Sequence, residues 1–218
     1  AYINPQMSRI MQAVAEAGGD MTRINGDSIF PVLNMLNAKY FIVPLQGGQT
    51  VPLQNPYAYG NAWFVDRIAY VDNANQEIDR IGKIDLRHEA VADARFRGVL
   101  GQAVAQDRHS VVKLTAYEPN QLSYDVDSGK GGLLVFSEIY YPGWTATIDG
   151  KPAELGRVNY ILRALQVPAG RHKVQLSFFP KSVDTTETIA YIAYVVLLLI
   201  ILGGLYDTWR RSHAAANK

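Results

Sequence analysis

Residues 144–178 read WTATIDGKPAELGRVNYILRALQVPAGRHKVQLSF, and this stretch decides the fold. Trp144, Ala146 and Ile148 alternate with Thr145 and Thr147, the period of a strand with one buried face. Asp149-Gly150 then supplies the left-handed backbone of a tight hairpin. Ile161, Leu165 and Val167 share a further face, interrupted by Arg163, and Val174, Leu176 and Phe178 share another. Pro168-Ala-Gly170 is turn chemistry between them.

The same alternation runs upstream. Val112, Leu114 and Ala116 line one face of 111–117, and Leu122, Tyr124 and Val126 one face of 122–126. In 133–140 both faces are largely apolar, which predicts a central strand covered on both sides. Glu118-Pro-Asn120, Ser128–Gly132 and Pro142-Gly143 separate these runs. Short strands at this spacing predict an antiparallel β-sandwich, jelly-roll or immunoglobulin-like, over residues 108–183.

Before it lies a mixed region, 1–107. Asn4, Pro5 and Gly18-Gly19 bracket a helix over 4–17, and a shorter helix is expected at 28–37 with Ser28 as cap. Lys39–Val43 and Ala62–Val71 read as strands, 44–61 as a long irregular loop, and 73–82 as a helix. Arg95–Asp107 carries few signals and is the expected boundary. The fold class is α+β, a small α/β region followed by the sandwich and one transmembrane helix.

That helix is expected over 184–209. Its centre, TIAYIAYVVLLLIILGGLY at 188–206, holds 19 residues without a charge, roughly 28 Å of helix, enough for a bilayer core. Arg210, Arg211 and Lys218 follow it, which places the tail 210–218 in the cytoplasm and the bulk of the chain outside. Tyr191, Tyr194, Tyr206 and Trp209 suit the two interfacial belts. A first residue of alanine suggests a processed chain or a piece of a longer one.

Composition removes several functions. Lys plus Arg number 21 against 20 Asp plus Glu, a net charge of +1, so nucleic acid is not an expected partner. No cysteine is present, which removes disulfides, thiolate metal sites and a cysteine nucleophile. His88, His109, His172 and His213 have no metal-ligand spacing and read as surface residues. Gly129-Lys-Gly-Gly132 lacks the rest of a phosphate loop and reads as a turn. Glu138 and Asp149 are the acids worth weighing as a glycosidase pair. Asp149 is better explained by its turn, and Glu138 by pairing with Arg163 or Arg157. No catalytic, cofactor or metal residue is assigned.

The densest cluster is Tyr140, Tyr141, Trp144, Asn159, Tyr160 and Arg163. Exposed aromatic rings with Asn and Arg nearby could stack on sugar rings. The alternative puts Trp144 in the core, with the tyrosines packing a Pro-Gly corner. These six are the candidate glycan or partner contacts.

SEIYYPGWTATIDGKPAELGRVNYILRALQVPAGRHKVQLSFFP, residues 137–180, strongly resembles the C-terminal end of the YfhO family of bacterial polytopic membrane proteins. Leu33–Ile42 and Gly60–Val65 resemble further segments of that family in the same order. The resemblance implies a GT-C-type glycosyltransferase with many membrane helices, a lipid-linked sugar donor and a catalytic carboxylate in an early extracytoplasmic loop. This chain holds one hydrophobic span, so no catalytic residue is carried over and the chain alone is expected to be non-catalytic, without cofactor. Three readings compete: the accessory domain and last helix of such an enzyme, a membrane-anchored carbohydrate- or protein-binding module, and a structural domain packed on a membrane part. The expected partners are membrane lipid, the remaining transmembrane region of a parent protein and a cell-envelope glycan. The expected location is the bacterial cytoplasmic membrane.

Overall fold

A computed structural model describes residues 3–44, 48–105 and 109–216. The chain divides into two units, Ala1–Phe178 and Phe179–Lys218. In the first, eight strands follow residue 110: β6 (Val111–Glu118), β7 (Gln121–Ser128), β8 (Gly132–Ile139), β9 (Trp144–Ile148), β10 (Lys151–Ala153), β11 (Gly156–Val158), β12 (Leu162–Val167) and β13 (Gly170–Phe178). They form a five-stranded sheet of order β10-β9-β13-β7-β6, and with β3 (Ala62–Val65) a four-stranded sheet of order β11-β12-β8-β3. Every pairing in both sheets is antiparallel.

Period two explains the layers. Tyr124, Leu134, Phe136, Leu165, Val174 and Leu176 close the core between the two sheets. Leu133, Val135, Leu162, Ala164, Trp63 and Val65, one residue out of phase, face the opposite way. They bury the back of the four-stranded sheet against Ile81, Leu86, Val91 and Leu100. β8 is therefore covered on both faces, as its unbroken LLVF run requires. The Asp149-Gly150 hairpin has φ of +51° and +78° at its two turn residues, the primed turn that Asp-Gly favours.

The N-terminal region comprises α1 (Ile3–Glu16), α2 (Gly26–Ile29), α3 (Pro31–Met35), β1 (Tyr40–Pro44), β2 (Thr50–Gln54), β4 (Arg67–Val71), α4 (Ala74–Ile81), β5 (Glu89–Asp93) and α5 (Arg97–Leu100). Four sequence expectations change here. The single helix at 28–37 is two, because Pro31 has no N–H to continue α2 and instead starts α3. The loop at 44–61 holds β2, paired antiparallel with β1, with Pro52 opposite Ile42; residues 45–47 lie outside the described set. The strand at 62–71 is two: the Asp66 and Arg67 amides both donate to His88 O, at 2.8 and 3.1 Å. That redirects the chain from β8 to a parallel pairing of β4 with β5. The expected boundary after residue 107 does not separate the sheets, since β3 hydrogen-bonds along β8.

In the second unit one helix, α6 (Lys181–Ala216), runs for 36 residues. Its stretch Thr185–Arg210 is long and apolar enough to cross a membrane.

Candidate functional site

Antiparallel pairing gathers all six candidate residues toward one end of the sandwich. β8 ends and β9 begins there, joined by Tyr140–Gly143, and Trp144 pairs with Phe178 at the end of β13. On the other sheet Leu162 pairs with Ile139, so the turn at Asn159-Tyr160 shares that end.

Arg163 organises the site from below. The β8–β12 register slips between Leu162, opposite Ile139, and Arg163, opposite Phe136. Ser137 and Glu138 are the residues left over in this bulge. Arg163 Nε donates to Ile139 O at 3.0 Å, and Nη2 lies 3.4 Å from Glu138 Oε2. The guanidinium carbon sits 3.9 Å from the Trp144 ring centroid, a cation–π contact shielded from water. Burial pushes the Glu138 carboxyl above its ordinary range, opposed by the Arg163 charge. Only 2 % of Arg163 is exposed. Its charge thus faces Glu138 and the Trp144 ring inside the fold, with Nη1 buried and without a hydrogen-bond partner among the described residues.

Trp144 is half-buried and packs on the inter-sheet core. Phe178 lies 5.3 Å from it, centroid to centroid. With Arg163 stacked over its ring, Trp144 is not an open platform. Tyr140 meets Phe96 edge-on at 5.7 Å, and its amide donates to Ile161 O at 2.7 Å. Tyr141 is 60 % exposed. Val99, Tyr140, Tyr141, Trp144, Pro152 and Leu155 bound an open cleft of about 390 Å³.

The neighbouring turn is held by a residue that sequence reading missed. Asn159 and Tyr160 both have positive φ, +49° and +71°, uncommon for tyrosine. Asn159 Oδ1 accepts from the Val91 backbone N–H at 3.0 Å, and the Asn159 backbone N–H donates to Val91 O at 2.7 Å. Glu77, fully buried in α4, accepts the Tyr160 amide at 2.8 Å and pairs with Arg157 at 2.8 Å. Burial pushes Glu77 up, while the Tyr160 amide and Arg157 pull it back. Its signal was legible: three residues after Ala74 and four before Ile81, Glu77 occupies the apolar face of its helix. Asn159 is buried and structural. Tyr160 keeps an exposed ring with the Arg157 guanidinium 5.5 Å from its centroid.

The acid pair is not assembled. Asp149 lies beyond the far end of β9 from Glu138, and that five-residue strand alone spans roughly 17 Å, too far for opposed glycosidase carboxylates. Asp149 instead accepts from Lys173 N at 2.8 Å and pairs with His172 Nδ1 at 2.7 Å. The His172 side chain is only 17 % exposed, so it departs from the solvated reading given to the histidines. Among the described residues, no group of three or more His, Cys, Asp or Glu is placed to hold a metal.

Residues 91–190, from β5 through both sheets into α6, match the family model described as bacterial membrane protein YfhO. This stretch is a YfhO-family region. Searches of curated proteins and of solved structures returned no match. The YfhO match and the apolar helix together make this a membrane protein.

Proposed function

We propose that this chain is the extracytoplasmic accessory region and last membrane helix of a YfhO-like envelope glycosyltransferase, and that its sandwich end helps to hold the acceptor or glycan. The observation that carries the reading is the position of the aromatic cleft. It lies inside the YfhO-family stretch, at the sandwich end from which the chain continues into α6. Tyr140 offers a ring edge to a sugar, Trp144, held from behind by Arg163, forms the rigid floor, and the exposed Tyr160 ring on the neighbouring turn adds a contact beside the cleft. Such a cleft suits a glycan because stacking on C–H faces needs fixed aromatic planes more than charge.

The test is binding of cell-envelope glycan fragments to the full chain in phosphatidylcholine nanodiscs. Tyr140→Ala and Tyr160→Ala each weaken binding about tenfold, the loss of roughly 1.4 kcal/mol of contact. Tyr117→Ala, on a different strand, leaves it unchanged. No glycan binding by the parent chain removes the recognition role.

A further inference from the structure

The two ends of the sandwich differ in chemistry. At the end where β13 stops, Tyr117 is 65 % exposed, Ile139 60 % and Tyr141 60 %, well above the Tyr160 ring that shares this end. Strand register brings them to one level. Tyr117 pairs with Leu122 and Glu118 with Gln121, while Gln121 pairs with Ser177. The Phe178 amide donates to Asn120 O at 2.9 Å. Tyr141 lies 6.2 Å from Phe178, centroid to centroid, and Ile139 is the last residue of β8, just before it. At the opposite end are Lys130, Asp149, Gly150 and Lys151, with Val111 and Val104 as the exposed apolar residues and no exposed Phe, Tyr or Trp among the described residues.

Chain length limits what can cover the ring-bearing end. Only Phe179 and Pro180 separate β13 from α6. Even fully extended, residues 178 to 185 reach no more than roughly 25 Å. Whatever bilayer holds Thr185–Arg210 is therefore tethered close to Phe178. Tyrosine beside an aliphatic side chain is the composition of a bilayer interface, where an amphipathic ring is apolar on its body and wet at its hydroxyl. The acids Glu118 and Glu138 flank these residues, so the contact does not rest on attraction to anionic headgroups.

We infer that Tyr117, Ile139 and Tyr141 form a lipid-contact surface that beds this end of the sandwich in the bilayer interface. The source of contact is phospholipid at the headgroup–acyl boundary, independent of anionic charge.

The absence of native cysteine gives a direct test. Single nitroxide labels are placed by Tyr117→Cys, Ile139→Cys and Tyr141→Cys, with Lys130→Cys and Lys151→Cys as references at the other end. The full chain is reconstituted in phosphatidylcholine vesicles, with and without phosphatidylglycerol, and parental circular dichroism is required of each variant. The ratio of oxygen to water-soluble nickel-chelate collision is expected to be several-fold higher at 117, 139 and 141 than at 130 and 151, and equal in the two lipids. Equal chelate access at all five positions overturns the inference. Exclusion of both reagents at 117, 139 and 141 also overturns it, because the surface is then covered by protein.

Discussion

Trp144 shows how one residue can be read two ways until its neighbours are known. Its alternation with Ala146 and Ile148 turned it inward by pattern alone, whereas its Pro-Gly flank and nearby tyrosines suggested a platform. The Arg163 guanidinium stacked on the ring weighs for the packed reading, and nothing in the spacing of residues 144 and 163 revealed that the two stack. Trp144→Ala removes a packed ring and uncovers a buried guanidinium, so it should cost about 3 kcal/mol, the lower end for a large aromatic. Urea denaturation of the full chain in micelles, followed by circular dichroism, checks this. A variant as stable as the parent that loses glycan binding would show the ring to be a ligand contact.

The Asp149–His172 pair gives a pH dependence at the same scale. Hydrogen bonds from His172 and from the Lys173 amide hold the Asp149 carboxyl below its ordinary 3.8. The Asp149 partner raises His172 above its ordinary 6.5. The His172 contribution is complete below 6.5 and is lost as pH rises through its raised value. The Asp149 contribution is complete above 3.8 and is lost as pH falls through its lowered value. The pair is therefore fully effective between those two pH values. Asp149→Asn keeps a residue that tolerates the positive φ but removes the charge. Relative to the parent, its melting temperature should fall more at pH 5 than at pH 8.5. An equal deficit at both pH values would remove the ion pair as the cause.

At the scale of elements, legibility followed burial pattern. β6, β7, β9 and β13 were legible because each buries one face, and β8 and β12 because they bury two. β5 was not, since Glu89 and Asp93 bracket two alanines, a poor strand composition. Its completely buried Ala90, Val91 and Ala92 are small because α4 and the Asn159 turn approach closely. β2 hid behind Pro52, which sequence rules assign to loops but an edge strand accepts. Two glycine turns, the crossing from β7 to β8 and the β9–β10 hairpin, offer a contrast that tests backbone against space. At Gly131 φ is +65° and an added Cβ would come within 2.5 Å of Val167 O; at Gly150 φ is +78° with open space around it. Gly131→Ala should cost well over about 1 kcal/mol, whereas Gly150→Asn, which adopts that backbone, should cost less. Denaturation midpoints of the two variants, measured side by side, check the order.

For the whole molecule, the membrane helix and the succession of helix, strand and sandwich could be read from sequence, but the sharing of a sheet across residue 107 could not. That sharing depends on β3 finding β8 some seventy positions away, and alternation does not encode partners. Orientation across the membrane rests on charge bias around a nearly featureless apolar run. Arg210 and Arg211 follow the span, while Asp184 and Glu187 precede it. Lys and Arg next to a span favour the cytoplasmic side, so the sandwich is expected outside the cell. The native absence of cysteine again makes the measurement clean. Ser182→Cys and Ser212→Cys are expressed separately, and intact cells are treated with a membrane-impermeant maleimide before and after permeabilisation. Ser182→Cys should react in intact cells, and Ser212→Cys only after permeabilisation. The reverse pattern would put the sandwich in the cytoplasm, where an envelope acceptor could not reach the cleft, and would remove glycan recognition along with the orientation.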